Sequence, residues 1–254
     1  AVQGPAPGDP YVAPLPTRAY TDELTDEETG LRIGTMTAPA VESDVAPECV
    51  AAVESAAKLL ESLGHRIDEE HPFTALADGG GIDIQDSFLT RWAAGQTAVL
   101  MQVGMLLGRE LTDDDVEPLT WALAEIGKER SSGRYLLDVG IHHGVSRLVA
   151  GWFAGGHDLL LSPTMAEVAP PLGAMDDSGE DPMEAFHRAF PSGAFTALFN
   201  VTGQPAISLP LHWTEDGVPV GVQLVAPFGR EDLLIRVAAQ VERAAPWAER
   251  TPPV

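Results

Sequence analysis

The apolar residues of this chain follow two periodicities, and their order predicts strands alternating with helices. LRIGTMT (31–37) is a mostly apolar run between turn residues, which predicts a strand. Over 47–64 the apolar positions recur at i, i+3, i+4 and i+7, which predicts an amphipathic helix with Pro47 in its first turn and Gly64 at its end. HRIDEE then predicts a short strand, so 31–70 resembles a βαβ unit.

The middle of the chain predicts a series of helices over 84–155. A first helix spans 84–107, and its apolar positions include Phe88, Leu89, Trp92, Val99, Leu100 and Val103. Thr112 is expected to cap a second helix, with three aspartates (113–115) in its first turn. A third helix begins near Ser132 and ends at Gly155–Gly156.

The remainder, 158–254, predicts sheet strands and a closing helix. DLLLSP has the composition of a strand buried on both faces. AISLPL and VGVQLVA predict two further strands, joined by a turn at Asp216–Gly217. An amphipathic helix closes the chain, whereas residues 1–30 predict an extended lead-in. The fold class is therefore α/β, with helices covering a sheet.

Composition narrows the range of partners and compartments. The formal net charge is −23, with 38 acidic residues against 15 lysines and arginines, which argues against nucleic-acid and anionic-membrane binding. The only cysteine, Cys49, cannot form an internal disulfide, so a reducing, cytoplasmic setting is the expectation. No signal peptide or membrane span is visible. The start at Ala1 suits a processed product or a piece of a longer protein.

Local motifs do not identify an active site, a metal site or a cofactor site. The chain has no G-x-S-x-G, H-E-x-x-H, phosphate-loop or G-x-G-x-x-G motif, so we expect no cofactor. Three consecutive aspartates (113–115) on a helix point in different directions, and capping explains them better than metal binding. His142 and His143 are about 100° apart on a helix and cannot share a metal as an i, i+4 pair would.

The segment FNVTGQPAISLP (199–210), followed by GVPVGVQLVAPFGREDLLIRVAAQVE, resembles the C-terminal portion of the amidase signature family. PGDPYVAP, LRIG, DVAPECVAAVESAAKLLESLGH and DLLLSPT appear upstream in the family's order. LTDDDVE and FNVTGQPAISLPL are similar to the branch that opens cyclic amides of nylon oligomers. The resemblance implies an α/β/α sandwich with a mixed central sheet covered by helices. It also implies that 1–254 form the C-terminal portion of an amidase signature domain.

The resemblance implies amide hydrolysis by a Ser–cis-Ser–Lys arrangement, with backbone amides holding the oxyanion. This chain lacks those residues. Ser131–Ser132–Gly133 has no flanking glycines and is interpreted as a helix break. Lys58 and Lys128, the only lysines, lie in helical contexts that do not enclose a catalytic base. We therefore expect no catalytic residue here, catalytic residues upstream of Ala1, and an inactive isolated chain that needs the N-terminal half of the amidase as its partner.

We expect this chain to contribute residues to the wall of the substrate pocket. For Asn200 and Gly203 the alternatives are a role beside the catalytic loops or the shaping of a turn. Phe195 and Phe199 either face the acyl pocket or fill the core, and the core is favoured. Substrate contact is considered for three positions on the helix 84–107. These are Phe88, Trp92 and Gln96.

Specificity and assembly follow from the same resemblance. No acid lies between Phe190 and Val201, where resembling amidotransferase subunits recognise an ammonium group, so a neutral or hydrophobic small-molecule amide is favoured over glutamine.

Half of a sheet exposes strand edges and apolar surface, which predicts a homo-oligomer, in the simplest case a dimer. Two alternatives stay open: a noncatalytic acidic α/β interaction module, and an independent hydrolase with an unrecognised Ser/His/Asp site.

Overall fold

The computed structural model describes residues 4–74, 83–176, 179 and 181–251. The strands are β1 (Arg32–Thr35), β2 (Arg66–Asp68), β3 (Leu159–Pro163), β4 (Ala206–Trp213) and β5 (Pro219–Val225). The helices are α1 (Tyr20–Glu23), α2 (Pro47–Ser62), α3 (Ile84–Leu107), α4 (Pro118–Glu129), α5 (Ser132–Ala154), α6 (Pro182–Gly193), α7 (Ala197–Thr202) and α8 (Glu231–Ala244).

The strands form one mixed sheet in the order β2-β1-β3-β5-β4. β1 pairs in parallel with β2 and with β3, so the predicted βαβ unit is present, with α2 as its crossover. β5 runs antiparallel to both β3 and β4. The predicted turn between β4 and β5 is also present, and Gly217 adopts a φ of 83° there, which L side chains rarely adopt.

The sheet separates two hydrophobic cores, because alternate residues of each strand face opposite sides. Leu159 and Leu161 of β3 belong to the core beneath α2 and α8, whereas Leu160 belongs to the core beneath α5 and α7. Every residue of β3 is buried, as predicted for a strand covered on both faces. Cys49 lies in the first of these cores, and burial raises the pKa of its thiol, which makes it an unreactive packing residue.

The two long helices of the middle region have the predicted ends. α3 begins after Asp83, whose carboxylate accepts a hydrogen bond from the Asp86 amide, and ends at Gly108 with a left-handed φ of 69°. α5 begins after Ser131, whose side chain accepts from the amide of Arg134. The Ser-Ser-Gly segment therefore separates α4 from α5 and starts the second of them.

The region after Thr112 differs from its prediction. Asp113–Asp115 form a short 3₁₀ turn, closed by reciprocal hydrogen bonds between Thr112 and Asp115, and the helix itself begins only at Pro118. Proline has no N–H, and it disfavours the helical conformation in the residue before it, so the turn cannot run on into α4. Pro118 instead occupies the first position of the new helix, where its missing N–H costs nothing.

Candidate functional site

An apolar cavity of about 240 Å³ lies between the first half of α3 and the helices α6 and α7. Phe88, Trp92 and Asn200, three of the residues considered from the sequence, line it together. Its other lining residues are mostly apolar and include Val41, Ile84, Phe186, Ala189, Phe190, Ala194, Ala197 and Leu198. Small-molecule sites commonly combine such a lining with a few polar groups that fix orientation.

Aromatic rings form one side of this cavity. The Phe88 and Trp92 rings meet edge to face with centroids 5.9 Å apart, and Trp92 lies 5.4 Å from Phe186 of α6. Phe88 and Trp92 are four residues apart on α3, so their side chains stack along one helix face. Trp92 is 41% exposed, which places it at the rim, where an apolar ligand would meet it first.

A groove of about 490 Å³ adjoins the cavity and shares Phe88, Trp92 and Asn200 with it. The groove adds Arg91 of α3 together with Tyr135 and His142 of α5. Within the described part of the chain, the exposed Asn200 carboxamide makes no hydrogen bond, so its polar atoms are available at the boundary between cavity and groove.

A directed chain of hydrogen bonds supports the groove. Arg91 Nη1 lies 2.7 Å from His142 Nδ1, and His142 Nε2 lies 3.0 Å from Ser87 Oγ. Arginine is always a donor, so Nδ1 must accept and the imidazole proton must reside on Nε2. Nε2–H then donates to Ser87 Oγ, which donates to the Ile84 carbonyl at 3.0 Å. Burial and the neighbouring Arg91 charge lower the pKa of His142, which favours this neutral form.

This Ser–His contact is not a catalytic triad. Ser87 is fully buried, so no substrate carbonyl can reach its oxygen. Arg91, and not a carboxylate, occupies the nitrogen of His142 that an orienting aspartate would hold. The pair therefore gives no support to the interpretation as an independent Ser/His/Asp hydrolase.

The other sequence-derived candidates lie apart from the cavity lining. Phe195 and Phe199 are buried in the core beneath α5 and α7. Gly203 ends α7 in the left-handed region, with a φ of 80°, where a turn requires glycine. Gln96 lies one turn beyond Trp92 on α3, is half-buried, and lines neither the cavity nor the groove. Contact of these residues with substrate stays a prediction.

Neither lysine lies in an enclosed site. Lys58 is exposed on α2. Lys128 is exposed at the end of α4, where it pairs with Glu125 at 2.5 Å and lies 4.8 Å from the centroid of the Trp121 ring. A lysine that serves as a base requires desolvation to lower its pKa, and neither location provides it.

Among the described residues, no group of three or more histidine, cysteine, aspartate or glutamate side chains is arranged to hold a metal ion. Within the same ranges, no helix has the length and apolar character that a membrane crossing requires.

The sequence did not indicate Arg91, His142 or Tyr135 as site residues. One signal was present: Ser87 and Arg91 are four positions apart, and on a helix such residues share a face. Their common partner, however, comes from α5, more than fifty positions away. No local pattern reveals a contact of that kind.

Comparison with known proteins places the chain among amidases in sequence and in fold. The family model described as Amidase matches residues 1–235. The chain is 37% identical over 257 residues to the 6-aminohexanoate-cyclic-dimer hydrolase of Pseudomonas sp. strain NK87, covering 99% of this chain and 51% of that relative. It is 38% identical over 261 residues to the enzyme of the same name from Paenarthrobacter ureafaciens, covering 99% and 51%.

The fold is also similar to a solved structure of an enzyme with this name. A structure of 6-aminohexanoate cyclic dimer hydrolase superposes with a TM-score of 0.88 at 36% identity, covering 98% of this chain and 52% of that one. The α/β architecture expected from the sequence is confirmed. The chain spans about half the length of the curated relatives that it matches.

Proposed function

The chain belongs to the amidase family, and from that premise we propose that it forms the C-terminal portion of an enzyme that hydrolyses a neutral or hydrophobic carboxamide. The observation that carries the proposal is the apolar cavity lined by Phe88 and Trp92, with the Asn200 carboxamide at its edge. An amide substrate has an apolar body and one polar group to orient, and this lining matches both needs.

The proposed chemistry is the family's Ser–cis-Ser–Lys mechanism, with its catalytic residues upstream of Ala1. The exposure of Lys58 and Lys128 and the full burial of Ser87 support this assignment. So does the alignment of 99% of the chain to only 51% of its relatives. On this proposal the chain supplies the wall that binds the body of the substrate, and it is inactive when isolated.

Partner surfaces are proposed on the same grounds. β4 is the last strand of the described sheet on its side, so its outer edge offers backbone groups for pairing with the N-terminal half of the amidase. The second half of α3 also exposes large apolar side chains, which supports a homo-oligomer such as a dimer. The exposed residues are Val99, Met101, Val103, Met105, Leu106 and Leu107.

The test begins with the reading frame upstream of Ala1. A lysine-bearing strand followed by a Gly-Gly-Ser-Ser-Gly-type segment is expected there, and its absence would favour a noncatalytic α/β interaction module. The extended protein should hydrolyse 6-aminohexanoate cyclic dimer or an aryl anilide, but not glutamine. Trp92→Ala should raise KM, because it removes the aromatic rim of the cavity.

The isolated chain provides the contrasting measurement. The purified 254-residue protein should release no product from a chromogenic anilide. Hydrolysis by this chain that a substitution within it abolishes would show that the catalytic residues are present after all. Sedimentation velocity tests the oligomer separately, and a stable monomer would contradict it.

A further inference from the structure

Arg91 is a cation without a compensating carboxylate in an otherwise strongly acidic protein. The net charge of the chain is −23, yet no carboxylate of the described residues lies within 4.0 Å of the Arg91 guanidinium. Asp86, on the same helix, is already held by Arg130 and Arg134, at 2.8 and 2.5 Å. The other described arginines that form no ion pair with a described residue, Arg66, Arg147, Arg188 and Arg250, are exposed, whereas Arg91 is partly buried.

His142 holds Arg91 without neutralising it. The imidazole accepts one hydrogen bond from Nη1, and the buried chain through Ser87 fixes the ring. A guanidinium has five N–H donors in a planar fork, so four remain, and none of them has a partner within the described ranges. A neutral acceptor thus fixes the orientation of the side chain, whereas a carboxylate in the same place would have cancelled its charge.

The groove that adjoins the apolar cavity combines Arg91 with other polar side chains. Arg91, Tyr135 and Asn200 all line the groove, so a hydroxyl and a carboxamide accompany the guanidinium. Trp92 and Phe88 line both spaces, as Asn200 does, whereas Arg91 and Tyr135 line the groove alone. A ligand with an apolar chain and an anionic end would fill both.

We propose that Arg91 is the centre of a carboxylate subsite, which binds the carboxylate that a linear hydrolysis product carries beyond the apolar chain. The guanidinium fork matches the two oxygens of a carboxylate, and such charge-assisted pairs are shorter and stronger than neutral hydrogen bonds. His142 acts here as a positioning residue. This inference rests on the proposed function, because it takes the cavity to hold the body of the substrate.

The test compares two ligands that have the same apolar chain and different head groups, an anionic carboxylate and a neutral carboxamide. Hexanoate and hexanamide are titrated into the full chain by isothermal calorimetry at low ionic strength. Hexanoate is expected to bind at least tenfold more tightly than hexanamide. Arg91→Gln should remove that preference by weakening hexanoate binding, and Arg91→Lys should keep part of it, because the charge remains without the fork. Arg147→Gln, at an exposed arginine of α5 outside the groove, is the matched control and should bind like the unmodified chain.

The outcomes distinguish a failure of the carboxylate subsite from a failure of the proposed function. Hexanamide binding with no preference for hexanoate overturns the carboxylate subsite and leaves the amide cavity standing. A preference for hexanoate that survives Arg91→Gln also overturns it. Failure of both ligands to bind contradicts the apolar cavity as a substrate site, and with it both proposals. The comparison in the unmodified chain decides the matter even if Arg91→Gln does not fold.

Discussion

Glu23 at the end of α1 and Arg236 on α8 form an ion pair across 213 positions of the chain, with 2.7 Å between Nη2 and Oε2. Arg18 binds the same carboxylate from the lead-in. The Glu23 side chain is only 2% exposed, so both arginines bind a carboxylate that has lost its water. This pair attaches the N-terminal lead-in to the helix that closes the fold.

Glu23→Gln is expected to destabilise the protein by about 1–3 kcal/mol, because charge-assisted hydrogen bonds to a buried carboxylate are lost. Arg236 keeps Glu28 and Asp232 as partners and Arg18 keeps Asp26, which limits the loss. Urea unfolding followed by circular dichroism measures the change. Glu27→Gln is the matched control: Glu27 is 73% exposed and lies 4.0 Å from Arg243, so its loss should cost less than about 1 kcal/mol. Equal effects of the two substitutions would show that the Glu23 pair does not stabilise the fold.

The same carboxylate predicts a pH dependence of stability. Hydrogen bonds from Arg18 and, less strongly, from Arg236 lower the pKa of Glu23 from 4.5 to about 2. The unfolded chain therefore binds the proton more readily than the folded one, so this stabilisation is complete above pH 4.5 and is lost as the pH falls towards 2. The difference in unfolding free energy between the unmodified protein and Glu23→Gln should shrink over that range. A constant difference would contradict the assignment.

The fold was predictable wherever local signals decided it. α3 was predicted from its apolar positions and α5 from its start and stop residues, and the observed limits of both helices match. The error after Thr112 arose because a capping residue followed by acids also starts a 3₁₀ turn. Pro118, two positions after the turn's C-cap Val116, decided between the two.

The candidate site was predictable only in part, because some of its contacts join residues of different helices. Phe88 and Trp92 share a helix face, which is local information. Arg91 and His142 meet because α3 and α5 pack together, and that contact depends on the tertiary arrangement. Asn200 came from the resemblance to a family, not from periodicity. Sequence patterns thus indicate which residues share an element, whereas the polar contacts between elements need the fold.

Truncation of Phe195 should destabilise the protein much more than truncation of Trp92. Phe195 is fully buried, so Phe195→Ala is expected to cost about 3–5 kcal/mol through lost burial and the cavity left behind. Trp92 is 41% exposed and retains mainly its ring contacts with Phe88 and Phe186, so Trp92→Ala should cost about 1 kcal/mol. Urea midpoints measure both changes. A larger loss at Trp92 than at Phe195 would mean that the rim supports the fold and is not free for a ligand.

Gly127 and Gly140 form a matched pair of helical glycines with opposite expected effects. A Cβ on Gly127 of α4 would overlap the Ala93 carbonyl oxygen and the Thr97 hydroxyl of α3, whereas a Cβ on Gly140 of α5 would meet nothing within 4 Å. The close approach of α4 to α3 therefore depends on a missing side chain at Gly127, and Gly127→Ala should destabilise the protein by about 1–3 kcal/mol or more. Gly140→Ala should stabilise it by about 0.5–1 kcal/mol, because alanine loses less backbone freedom in a helix.

Thermal unfolding of Gly127→Ala and Gly140→Ala separates the effect of packing between helices from the effect of helix propensity. Alanine favours the helical backbone equally at the two positions, so any difference between them reports the space between α3 and α4. Because α3 also carries Phe88, Arg91 and Trp92, a shift of α4 should reach the site and weaken hexanamide binding in Gly127→Ala but not in Gly140→Ala. If both substitutions stabilise the protein, α3 and α4 are farther apart at Gly127 than in the structure described above. The position of α3 would then not depend on Gly127.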